Sequence, residues 1–154
     1  MAVGSVPEFV DSVFAKAGAL PNHSWARVNE ATGEAEFDRA TITQALLQLV
    51  DNAAKYSPVG STITLGSHDR ADDVEFWVRD EGPGIPSGFE KRIFERFGRV
   101  NEGRGVAGSG LGLSIVKSIA ESHDGTVELT PTPSGAQFTI RIPRRLRSQE
   151  GADR

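Results

Sequence analysis

The 154-residue sequence has no cysteine, one methionine, one tyrosine and two tryptophans, and only 7% of it is aromatic. Without cysteine there is no disulfide framework and no thiolate metal site, and the composition suits a reducing compartment. An excess of one charge is also missing. The 17 Lys and Arg against 21 Asp and Glu leave a formal charge of −4, which gives no general attraction to nucleic acid or anionic lipid. No apolar run approaches the roughly 20 residues that a membrane-spanning helix needs. No basic, apolar leader stands at the N-terminus, so any membrane anchor is expected on another segment. What is present is 38% hydrophobic and 25% charged, the make-up of one soluble globular domain with a single core.

Glycine is plentiful instead, with 17 residues, many between Gly82 and Gly125. Ordered glycine costs conformational entropy, so such clustering marks special backbone geometry or mobility. Around that stretch the periodicity is clear. Val6, Phe9, Val10, Val13, Phe14 and Ala17 fall at helical spacing, and the pattern ends near Gly18 and Pro21. Residues 25–28 and 34–38 read as short strands around a turn at Thr32-Gly33. Residues 39–56 form the longest helical pattern, stopped by Ser57-Pro58 and Gly60. Residues 62–66 and 74–79 alternate as strands, 90–94 read as a short helix in a long loop, and 111–122 as a second strong helix. Residues 126–129 and 136–142 predict a hairpin, and 144–154 a polar, frayed tail. Helices interleaved with hairpins predict an α+β fold, a mixed sheet with helices layered on one face.

The long helix carries two stripes. Ile42, Ala45, Leu46, Leu49, Val50 and Ala53 share an apolar face, while Gln48, Asn52 and Lys55 line up about 100° away. An amide oxygen is a hard, neutral ligand suited to Mg2+, and a lysine is a point charge for phosphate. Tyr56, between the stripes, offers a flat ring to a purine. Read alone, this is also what an ordinary polar helix face looks like.

Two glycine-rich loops sharpen the reading. In DEGPGIP (residues 80–86), Asp80 ends a strand and the glycines turn the chain sharply, aiming its carboxylate at a cleft. A carboxylate only accepts hydrogen bonds, so it selects a donor such as the exocyclic amine of adenine and disfavours the carbonyl of guanine. The same residues also make an ordinary strand-ending turn. GSGLGL (residues 108–113) opens the second helix, where free N–H groups and the dipole favour phosphate. It is not a Walker loop, since no Gly-Lys-Ser/Thr follows. The run 100–107 reads as a lid able to close over nucleotide, and Arg96 or Arg99 in IFERFGRV could reach a terminal phosphate with a planar fork.

Taken together, QALLQLVDNAAKYSP, DEGPGIP, IFERFGRV and GSGLGLSIVKSIAESHDG resemble the N, G1, F and G2 boxes of sensor histidine kinases, in that order. The resemblance covers roughly residues 36–143. It implies the Bergerat fold, a two-layer α/β sandwich of about five strands under three helices, shared with gyrase, Hsp90 and MutL-type ATPases. It implies ATP and Mg2+ as ligands, with Asn52 on the metal, Lys55 on phosphate, Tyr56 on the adenine ring and Asp80 on its amino group. Gly82 and Gly84 would shape the adenine pocket, with Ile85 among the ATP-binding residues. Arg96 would approach the γ-phosphate, with Arg99 near it, and Gly108, Ser109, Gly110, Leu111, Gly112 and Leu113 would border the triphosphate. Asn52, Arg96 and Gln48 are the residues assigned to catalysis.

Two departures carry information. Gln48 stands one turn before Asn52, where gyrase-like relatives have a water-activating Glu. Gln cannot take a proton, which favours a kinase over a mechanical ATPase. The family's acceptor histidine is also missing, because His23, His68 and His123 lack the surrounding paired helices. The acceptor is therefore expected on a separate dimerisation domain, of the same parent chain or another protein, with a response-regulator receiver domain downstream. Residues 1–20 are expected to be a helical remnant of the link to that domain, 21–143 the ATP-binding domain and 144–154 a flexible tail. No nucleic-acid or membrane contact is expected of this segment. It should be monomeric when isolated and cytoplasmic, free or as the cytosolic part of a membrane-anchored sensor. The alternatives are a serine kinase of the anti-sigma-factor type and a non-catalytic nucleotide-binding docking module.

Overall fold

The computed structural model describes residues 1–81, 110–132 and 135–144. The expected short helix at 90–94 and the lid at 100–107 lie outside them. The order is β1 (Ala2–Ser5), α1 (Val6–Ala17), β2 (Ser24–Asn29), β3 (Glu34–Phe37), α2 (Arg39–Tyr56), β4 (Thr62–Arg70), β5 (Asp73–Arg79), α3 (Gly110–Ser122), β6 (Thr126–Thr132) and β7 (Gly135–Pro143). Five strands form one mixed sheet in the order β2-β4-β5-β7-β6, parallel between β2 and β4 and antiparallel elsewhere. The α+β sandwich expected from the sequence is the fold observed.

Strand alternation makes the two layers. Val74, Phe76 and Val78 of β5 and Phe138, Ile140 and Ile142 of β7 are buried against the helices. Between them, Glu75, Trp77 and Arg79 and their β7 partners Arg141, Thr139 and Gln137 point to the opposite face. Helix α2 begins at Asp38, whose Oδ1 accepts from the N–H groups of Ala40 (3.1 Å) and Thr41 (3.5 Å). Its last turn is closed by the Ser57 hydroxyl, which donates to the Ala53 carbonyl at 2.6 Å. All six residues of its predicted apolar stripe are buried.

Two short strands were expected at 25–28 and 34–38 around one turn, but they do not pair with each other. β2 joins β4 in parallel over six residues, while β3 pairs antiparallel with β1, a strand the sequence reading does not contain. Residues 30–32 cross between the sheets because they are tied to β4: Glu30 N–H to the Ser67 carbonyl, Ala31 N–H to Ser67 Oγ and Thr32 N–H to Asp69. Local turn chemistry was legible there; the long-range partner was not.

Residues 1–20, expected as a linker remnant, take part in the folded unit. Helix α1 buries Val6, Phe9, Val10, Val13 and Ala17 completely or nearly so. The Phe9 ring meets Phe37 edge-on at 4.9 Å and Phe76 at 5.5 Å, so α1, β3 and β5 share one aromatic centre. Arg144, expected in the tail, is also anchored: its N–H donates to the Asp72 carbonyl and its guanidinium reaches Glu34 and Asp69. Residues 145–154 lie outside the described part.

Candidate nucleotide site

Helix α2 carries the polar stripe into the interior. Gln48 is half-buried, Asn52 only 7% exposed, and Lys55 surfaces in the last turn. The Asn52 Nδ2 is buried and has no hydrogen-bond partner among the described residues. Leaving such a group unsatisfied costs on the order of 1–3 kcal/mol, so a buried side-chain amide without a partner is a place prepared for one. A half-turn about χ2 exchanges its nitrogen for its carbonyl oxygen, so the same amide can meet a phosphate oxygen or a hard cation. Among the described residues no cluster of three or more His, Cys, Asp or Glu could hold a metal. A single amide oxygen fits Mg2+, which keeps several waters and takes phosphate oxygens as its other ligands.

Lys55 forms an ion pair with Asp51 at 3.0 Å, one turn back on the same helix. The side chains are 34% and 51% exposed, so solvent screens the pair and it holds Lys55 only weakly. Of Tyr56 the backbone alone is described, as the last residue of α2.

The first turn of α3 lies against α2. A Cβ on Gly112 would be 2.5 Å from Gln48 Nε2 and 2.8 Å from its Cδ. The glycine therefore lets the two helices approach with the Gln48 amide between them. This places the first turn of α3 one helical turn of α2 away from Asn52. Leu113 is half-buried and packs against the core, while of Gly110 and Leu111 the backbone alone is described. At its other end α3 is tied to α2 by His123, 3% exposed. Its Nδ1 donates to the Ile119 carbonyl at 2.9 Å and its Nε2 accepts the N–H of the α2 cap residue Asp38 at 3.1 Å.

Asp80 follows β5 directly and is 7% exposed. Its N–H donates to the Ala136 carbonyl at 3.0 Å, and its Oδ1 accepts the Ala136 N–H at 3.3 Å. Its neighbour Glu81 accepts the Thr62 N–H at 2.9 Å, fastening the chain after β5 to the start of β4. From the sequence Gly135 is the end of a hairpin turn and Ala136 the first residue of the strand after it, and nothing local distinguishes a glycine needed there from a turn glycine. Gly82, Gly84, Ile85, Arg96, Arg99, Gly108 and Ser109 lie outside the described residues.

The family of histidine kinase-, DNA gyrase B- and HSP90-like ATPases matches residues 37–146. Sensor-like histidine kinase SenX3 of Mycobacterium tuberculosis is 39% identical over 120 residues, covering 76% of this chain and 29% of SenX3. The signal transduction histidine-protein kinase/phosphatase MprB of a Mycobacterium species is 38% identical over 125 residues, 77% of this chain and 24% of MprB. The chain thus spans less than a third of these relatives. Among solved structures, a mycobacterial sensor histidine kinase MprB superposes with a TM-score of 0.78 at 27% identity, covering 93% of this chain and 97% of that one. The catalytic domain of histidine kinase ThkA gives 0.78 at 28%, covering 94% and 97%. With the family matched across most of the fold, the chain belongs to the histidine kinase-, DNA gyrase B- and HSP90-like ATPases.

Proposed function

We propose that this chain is the ATP-binding catalytic domain of a sensor histidine kinase, passing the γ-phosphoryl group of ATP to a histidine on a separate dimerisation domain, with a response-regulator receiver domain next in line. The observation that carries the reading is the buried Asn52 Nδ2, which has no hydrogen-bond partner among the described residues, on the helix whose Gln48 lies against the start of α3. Asp80 accepts the exocyclic amine of adenine, Asn52 holds Mg2+ and the phosphates, and the first turn of α3 faces the phosphate chain. Lys55 leaves Asp51 for a phosphate oxygen. Tyr56 packs on the adenine, Ile85 is among the ATP-binding residues, and Arg96 approaches the γ-phosphate with Arg99 near it, as the sequence resemblance implies. Mg2+, when bound, neutralises charge shared by the phosphates.

In the transfer, a neutral imidazole nitrogen attacks the γ-phosphorus, the bond from that phosphorus to the bridging oxygen breaks, and ADP leaves with the electron pair. Little covalent work falls to this domain; it positions and neutralises. Gln48 offers no base for water, so hydrolysis without an acceptor is slow. No helix among the described residues is long and apolar enough to cross a membrane; a cytoplasmic site of action belongs to the proposal.

The test combines the purified chain, γ-labelled ATP with Mg2+, and the histidine-bearing hairpin of a sensor histidine kinase. Acid-labile label on the hairpin supports the reading. Acid-stable label points to a serine kinase, and steady phosphate release without an acceptor to an ATPase.

A further inference from the structure

We propose that Gly135 and Ala136, at the start of β7, aim the Asp80 carboxylate and so set the base selectivity of the nucleotide site. The inference rests on the reading of Asp80 as the adenine acceptor. It starts from a ladder that runs one residue past the end of β5. Arg79 pairs with Gln137, and beyond it Asp80 and Ala136 exchange two hydrogen bonds. One is an ordinary backbone bond, Asp80 N–H to the Ala136 carbonyl at 3.0 Å. The other departs from the ladder, because the Ala136 N–H, at 3.3 Å, donates to the side-chain Oδ1 of Asp80.

That substitution needs close approach. A Cβ on Gly135 would stand 2.1 Å from the Asp80 carbonyl oxygen and 2.8 Å from Oδ1, and two of the three nearest atoms are backbone, which cannot swing aside. Any side chain at 135 therefore displaces the Asp80 peptide and its carboxylate together. Backbone donors are rigidly placed, so a carboxylate held by one keeps a fixed direction, whereas a flexible side-chain donor would let it turn. Recognition of one exocyclic amine is a matter of such direction, since misaligned hydrogen bonds weaken steeply. Gly135 and Ala136 are positioning residues: they act on the base through Asp80.

The experiment measures binding of ATP and of purine riboside 5′-triphosphate, which lacks the exocyclic amine, to wild type, Gly135→Ala and Asp80→Ala in the presence of Mg2+. Wild type is expected to favour ATP by about tenfold or more, the scale of one buried hydrogen bond to a charged group. Gly135→Ala should lose most of that preference by weakening ATP alone, approaching Asp80→Ala. Equal weakening of both nucleotides, or no change in either, overturns the proposal. A wild type that does not distinguish the two nucleotides overturns the adenine reading of Asp80 itself. Should Gly135→Ala fail to fold, the Ala136 amide proton decides. It should move upfield and exchange faster in Asp80→Asn than in wild type, and an unmoved Ala136 resonance counts against the proposal.

Discussion

The Gln48 carboxamide on α2 rests against Gly112 in the first turn of α3, with a Cβ at 112 falling 2.5 Å from Nε2, 2.8 Å from Cδ and 3.3 Å from Cγ. The residue expected to govern proton chemistry therefore also sets how closely the glycine-rich helix start approaches the helix of Asn52. At the far ends of the same two helices, His123 joins α3 to the cap of α2. One contact sits beside the site and the other away from it, and together they fix the spacing of α2 and α3.

Gly112→Ala should separate stability from binding. Alanine gains about 1 kcal/mol of helix propensity over glycine, which offsets the crowding, so the melting temperature should change little. Nucleotide affinity should fall because the new methyl group drives the Gln48 amide out of its place beside the start of α3. Combining it with Gln48→Ala makes room for the new methyl group, and the double mutant should bind better than the sum of the singles predicts. Isothermal titration across the four proteins checks this; strict additivity would show that the contact does not couple the helices.

His123→Ala should be among the more destabilising changes outside the aromatic centre. It leaves the Asp38 N–H without its partner and takes one of two donors from the Ile119 carbonyl, which keeps the Ser122 hydroxyl at 2.7 Å, a loss of about 1–3 kcal/mol, the cost of one unmet group. Urea denaturation measures it. The hydrogen bonds also require the proton on Nδ1 and the lone pair on Nε2, a tautomer that nitrogen-edited NMR of wild type reads directly.

Asp51→Asn should leave stability within about 0.5 kcal/mol of wild type, the usual worth of an exposed pair along a helix. It should also tighten ATP binding modestly, because Lys55 no longer has a competing carboxylate. The contrast is Arg141, whose hydrogen bond from Nε to the largely buried Glu75 spans 2.9 Å. That bond, against the opposing effect of burial and helped by Glu128, raises the guanidinium above its ordinary range. A raised value keeps the guanidinium charged below it, so the Arg141 side of the pair is given up only in strong alkali. A double-mutant cycle on Glu75 and Arg141 should show a coupling that 1 M salt diminishes less than that of Asp51 and Lys55.

Phe9→Ala should cost about 3–5 kcal/mol, the range for a large aromatic removed from a core. This tests whether residues 1–20 belong to the folded unit. A loss below about 1 kcal/mol would contradict the packing of Phe9 against Phe37 and Phe76.

The three described helices and strands β4 to β7 were legible because each repeats its own period over several residues. β1 was not: Ala-Val-Gly-Ser carries no alternation, and it is a strand only because β3 lies beside it. The parallel partner of β2 was hidden for the same reason, since pairing with β4 is decided 38 residues along the chain. In the site, Asn52 and Asp80 stood out because an amide in an otherwise buried helix and a carboxylate before a glycine turn are locally odd. Gly112 and Gly135 did not reveal their contacts, because a glycine shows what it permits only once its neighbour is in place.

The most direct test of the account is a titration of wild type, Asn52→Ala and Asp80→Ala with ATP and GTP, with and without Mg2+. The account predicts Mg2+-dependent binding of ATP about tenfold or more tighter than GTP in wild type, loss of the Mg2+ dependence in Asn52→Ala and loss of the base preference in Asp80→Ala. Wild-type affinity and selectivity retained by both variants would contradict it.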